Sequence, residues 1–133
     1  MPSQTAPITD VQYYGQNDTA PPLQRVIKTQ QGDVVDLTNA DSVYISVAWK
    51  SFTPKPWGSY RKIIVDRALC VIDDAAAGEV SWHPAVGDLS IIGDFQYSFE
   101  VKWNDDSVST HKSLAYDYIE VQTPPGGSRE ALS

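Results

Sequence analysis

The chain has one cysteine, Cys70, among its 133 residues. No intrachain disulfide can form, so scaffolds that depend on a disulfide network are excluded. Cys70 lies in the apolar run Ala68-Leu69-Cys70-Val71-Ile72, where a thiol behaves as a small core hydrophobe rather than a nucleophile. Long apolar runs are also missing. None approaches the ~18 residues that a membrane-spanning helix needs. Met1-Pro2-Ser3-Gln4-Thr5-Ala6-Pro7 has neither the basic region nor the apolar run of a signal peptide, so the expectation is a soluble protein made in a cytoplasm. Positive charge is scarce: 10 Lys and Arg stand against 17 Asp and Glu, for a net charge of −7. The basic residues are scattered without a stripe, which argues against nucleic-acid binding through phosphates. Histidine is limited to His83 and His111, at no zinc-ligand spacing, and with one cysteine the ligand count is too small. There is no Gly-x-Ser-x-Gly nucleophile elbow. No window carries a sustained helical period.

What is present is aromatic and alternating. Four Trp, seven Tyr and three Phe favour strands, whose pleated surface accommodates large flat side chains. In Asp94-Phe95-Gln96-Tyr97-Ser98-Phe99-Glu100-Val101-Lys102-Trp103 every second residue is apolar, the pattern of a strand with one buried face. Val43, Ile45, Val47 and Trp49 repeat it within 42–50. Leu23 to Lys28 and Val34 to Leu37 flank the turn Gln30-Gln31-Gly32-Asp33. Lys62 to Asp66 and Ala68 to Ile72 read as one long or bent strand, and Glu79 to Trp82 and Val108 to His111 as short ones. Tyr116 to Gln122 reads as a final strand whose mixed phase implies a bulge or an edge. Turn signals recur about every 8–12 residues, the spacing of a sandwich or barrel. Ser51-Phe52-Thr53-Pro54-Lys55-Pro56-Trp57-Gly58-Ser59-Tyr60 reads as a loop, because its prolines prevent ladder pairing. The division is an extended arm over 1–16, a domain over 17–122 and a tail over 123–133. The fold class is all-β, an antiparallel β-sandwich of about seven strands.

Three stretches carry a family resemblance. The first is Asn17-Asp18-Thr19-Ala20-Pro21-Pro22-Leu23-Gln24-Arg25 with Gly32-Asp33-Val34-Val35-Asp36-Leu37-Thr38-Asn39-Ala40. The second runs from Val71 through Asp73-Asp74-Ala75-Ala76-Ala77-Gly78 to Trp82, then Gly87-Asp88. The third is Gly93-Asp94-Phe95-Gln96-Tyr97-Ser98-Phe99-Glu100-Val101, followed by an Asp-rich turn and a closing strand. Their order and spacing over Asn17 to Val121 resemble the N-terminal immunoglobulin-like domain of phage baseplate upper proteins, which also occurs as a small siphophage virion protein. The resemblance implies an immunoglobulin-like sandwich made in the host cytoplasm and built into the virion. Its work there would be non-catalytic docking in the tail or baseplate, with capsid decoration or a neck position as the alternative. It supplies no catalytic residue, cofactor or metal site.

Acidic pairs and loop aromatics remain to be weighed. Asp73-Asp74 and Asp105-Asp106 lack the alternating Asp-x-Asp-x-Asp-Gly pattern of a calcium loop and read as solvated turns. Tyr13, Tyr14, Phe52, Trp57, Tyr60, Tyr116 and Tyr118 lie in the arm, the Pro-rich loop and the last strand. Aromatics in such places anchor protein interfaces, so these are the candidate interface residues. The expected partners are other virion proteins of the tail, baseplate, neck or capsid, met in a symmetric multi-copy assembly. The arm could add a strand to an adjacent subunit. The same rings could stack on sugars, making a carbohydrate-binding host-adhesion module the alternative, with a host glycan as its ligand. A small hydrolase is a third reading, since paired carboxylates are spatial and not visible in sequence.

Overall fold

In a computed structural model of the chain, residues 11–49, 63–113 and 117–123 are described. They form nine strands, none of them accompanied by a helix. These are β1 (Gln12–Gly15), β2 (Leu23–Val26), β3 (Ala40–Trp49), β4 (Ile63–Leu69), β5 (Val71–Asp74), β6 (Glu79–Trp82), β7 (Gly93–Trp103), β8 (Val108–Lys112) and β9 (Ile119–Gln122). A six-stranded sheet runs β1-β9-β7-β3-β4, with β8 also on β7, and faces a three-stranded sheet β2-β6-β5. All pairs are antiparallel except β1 with β9. The small sheet thus has the B-E-D order of an immunoglobulin domain, and the large one the C-F-G order with an extra strand beside C. The chain is an all-β, immunoglobulin-like sandwich.

The long strands form where the sequence alternates. Val43, Ile45, Val47, Phe95 and Val101 are fully buried, and Tyr97 and Phe99 nearly so. From the opposite sheet, Leu23, Ile27, Val80 and Trp82 close the core. Trp49 departs from the inward expectation. It keeps the right phase as the last described residue of β3, 44% exposed with its ring edge-on to Phe95 at 6.1 Å.

Two further differences are local. Val34–Leu37 makes one bridge, Lys28 to Val34, rather than a strand. The one long or bent strand expected over Lys62 to Asp66 and Ala68 to Ile72 divides into β4 and β5, which belong to different sheets. Arg67 sits at φ +54° with its N–H donated to the Ser46 hydroxyl at 3.1 Å, a bulge that changes the side-chain phase. Cys70 then points inward as the chain crosses between sheets, and burial pushes its thiol pKa up to about 12. The last two strands are separate, as expected: β9 pairs with Gly93–Phe95 of β7 and β8 with Ser98–Lys102, along one edge.

Gly78 fixes the end of the sandwich where the loops meet. Its φ is +68°, and a Cβ there would lie 2.6 Å from the Val35 carbonyl oxygen. Both the backbone region and the contact exclude a side chain. Gly78→Ala is expected to lower the unfolding free energy by roughly 2 kcal/mol or more, read from urea denaturation. Unchanged stability would mean that this turn is free to move.

Candidate functional site

The parallel pairing of β1 with β9 brings together two of the aromatics singled out from the sequence. Tyr13 lies opposite Glu120, which in turn lies opposite Asp94 on β7. Alternation sends the adjoining Tyr14, Ile119, Val121 and Phe95 into the core, so Tyr13, Glu120 and Asp94 form a row on the outer face. Tyr13 is 55% exposed. Tyr118, two positions before Glu120, is half-buried. Its hydroxyl pKa is raised, first by partial loss of water and then by the negative charge of Asp94 and Glu120. Gln122 donates its side-chain amide to Glu120 Oε2 at 2.7 Å. Two phenol rings beside two carboxylates form a surface that accepts hydrogen bonds and attracts cations. Such a surface suits an arginine or lysine of a partner, or the hydroxyls and apolar face of a sugar.

Tyr14 lies elsewhere. It is 2% exposed, and its hydroxyl donates to the Pro21 carbonyl at 2.7 Å. Burial pushes its pKa up to about 12. Its side chain holds β1 to the following loop and is not offered to a partner, because β1 joins this chain's own sheet and alternation turns Tyr14 inward. Phe52, Trp57, Tyr60 and Tyr116 lie outside the described residues.

A second polar feature spans the two sheets. Arg25 on β2 takes the inward phase between Leu23 and Ile27, and its Nε donates to the Tyr97 hydroxyl at 3.0 Å and to Asp117 Oδ1 at 3.1 Å. Burial raises the Tyr97 pKa, and the hydrogen bond and charge of Asp117 raise it further. For Arg25 burial works against the charge, but Tyr97 and Asp117 outweigh it and the pKa is raised. Antibody domains join these two strands by a disulfide; here a guanidinium joins them. This cluster was not singled out in the sequence, although an arginine between two inward apolar residues of a strand is a visible signal.

On the neighbouring hairpin, Trp103 Nε1 donates to the Ser109 hydroxyl at 3.0 Å, and Ser109 lies 3.0 Å from His111 Nε2. The indole can only donate, so the Ser109 hydroxyl accepts from it and shares its other hydrogen-bonding capacity with Nε2. Burial lowers the His111 pKa, so the unfolded chain takes the proton first. Stability from this site is therefore complete above the ordinary histidine value of about 6.5 and is lost as pH falls through the lower folded value. An NMR titration of the His111 ring should give a midpoint below 6.5, and His111→Gln should flatten the corresponding slope in stability.

The acidic pairs serve as turn caps. Asp74 Oδ1 accepts the Ala77 N–H at 3.2 Å, and Asp105 Oδ1 accepts the Ser107 N–H at 3.0 Å. Hydrogen bonds from Ser107 hold the Asp105 carboxyl below its usual range. Among the described residues no group of three His, Cys, Asp or Glu side chains is arranged to hold a metal ion. Comparison with known protein families, curated proteins and solved structures finds no match.

Proposed function

We propose that the chain is a non-catalytic docking module in the virion of a tailed phage, placed in the tail or baseplate. The observation that supports this most is the Tyr13–Tyr118 pair on the outer face of the sheet, beside the edge strand β1. Exposed aromatics at a sheet rim are the residues through which a small sandwich gains most on meeting a neighbour. The family resemblance supplies the virion setting. Copies bound to a ring of the particle would follow its symmetry, and capsid or neck rings would present the same kind of neighbour. The test is mass spectrometry of purified virions of the encoding phage, with immunogold labelling to separate head from tail. Particles in which the chain recurs at fixed stoichiometry support the proposal; particles without it refute it.

The carboxylates beside those rings favour a second reading, host-glycan binding. Asp94 and Glu120 could accept sugar hydroxyls while Tyr13 stacks. Titration with host surface polysaccharide, read at the Tyr13 and Tyr118 ring signals, would decide between the two. Shifts that saturate support adhesion, and silence supports docking.

A further inference from the structure

A groove of about 550 Å³ opens on another side of the sandwich, between β2 and the β7–β8 hairpin. Tyr97 and Phe99, with ring centroids 5.4 Å apart, contribute to its wall. Arg25, Lys28 and Lys112 line it, and among the described residues its one lining acid is Asp117, already bonded to Arg25. Arg67 and Lys102 are the other basic residues among those described. On a chain of net charge −7, three of the five Lys and Arg among the described residues thus gather at one rim. Lys28 and Lys112 are exposed, and neither makes an ion pair with a described residue.

Among the described residues the same rim carries an open ladder. β2 is the outer strand of its sheet, and among the described residues only β6 pairs with it. Ile27 gives its N–H to Gly78 and accepts from Val35, both on the β6 side. Residues of the same phase, Leu23 and Arg25, therefore turn their backbone groups toward β6. Gln24, Val26 and Lys28 turn theirs outward. The Gln24 carbonyl accepts from Arg25 Nη1 at 2.8 Å; the remaining outward groups form a strip for an incoming strand.

We propose that this rim receives an extended acidic segment of a partner protein, which adds as a strand along Gln24, Val26 and Lys28. Main-chain hydrogen bonds give such an addition its affinity, and alternate side chains give it specificity. Acidic side chains on the outer face of the incoming strand meet Lys28, Lys112 adds positive charge at the groove, and the groove takes the apolar ones. This is a different surface from the Tyr13–Tyr118 patch, so the two can be occupied together.

The test uses the full chain, labelled with ¹⁵N, and short synthetic peptides alternating valine with glutamate or valine with lysine. The glutamate peptide should shift the amides of Gln24, Val26 and Lys28 while those of Leu23, Arg25 and Ile27 move little. That alternation marks strand pairing rather than diffuse charge attraction. Lys28→Glu combined with Lys112→Glu should weaken binding roughly tenfold, and added salt should weaken it for the parent chain. Equal affinity for the two peptides would overturn the proposal, as would shifts centred on Tyr13 and Tyr118. So would strong exchange protection of the Gln24 and Val26 amides in the peptide-free chain, since the chain's own residues would then hold the edge.

Discussion

Replacing Trp82 by alanine is expected to remove about 3–5 kcal/mol from the unfolding free energy, the range for truncating a buried aromatic. Domains of this kind are stable by about 5–15 kcal/mol in all, so the variant should lose a large share of its stability. Trp82 is 1% exposed and heads the largest fully buried side chains. It ends the central strand of the small sheet and pairs with Leu23, so its ring fills the space where the sheets face each other. Trp82→Phe keeps part of that volume and should lose less. Urea denaturation followed by far-ultraviolet circular dichroism checks both. A loss below about 1 kcal/mol for the alanine variant would mean that the two sheets do not close over this residue.

Arg25→Ala is expected to lower stability by about 1.5–3 kcal/mol, the range for hydrogen bonds to charged groups. The value stays below that of a fully buried pair because Arg25 and Asp117 side chains retain 19% and 20% exposure. Water can partly replace the lost partner. Arg25→Lys should not restore the loss, since one Nε serves both Tyr97 and Asp117 and an ammonium lacks that planar geometry. A double-mutant cycle with Asp117→Asn should return a coupling of roughly 1 kcal/mol. Additive losses would show that Arg25 and Asp117 act separately.

Much of the fold is legible because alternation is local. Phe95 to Val101 and Val43 to Val47 declare their buried faces without reference to the rest of the chain. Phase changes are harder to read. The left-handed turn of Arg67 re-aims the residues after it, so that Cys70 faces inward between exposed Leu69 and Val71. No residue type in that run signals a bulge. The site is less legible again. Tyr13 and Tyr118 meet only through a parallel pairing between the two ends of the domain, and Tyr14 cannot be told from Tyr13 until that pairing sets which one faces out. Arg25, Tyr97 and Asp117 come from three separate segments, each plausible alone as an ordinary strand or loop residue. Periodicity assigns faces; it does not say which faces become neighbours.

The proposed docking depends on an aromatic rim that the sandwich would present to neighbours in a particle. The most direct measurement is incorporation of Tyr13→Glu into virions, with its fold checked by circular dichroism and its amount compared with the parent chain. Tyr13 is exposed, so the variant should fold normally yet be depleted from purified particles while remaining in the lysate. Equal incorporation of a folded variant would contradict the account.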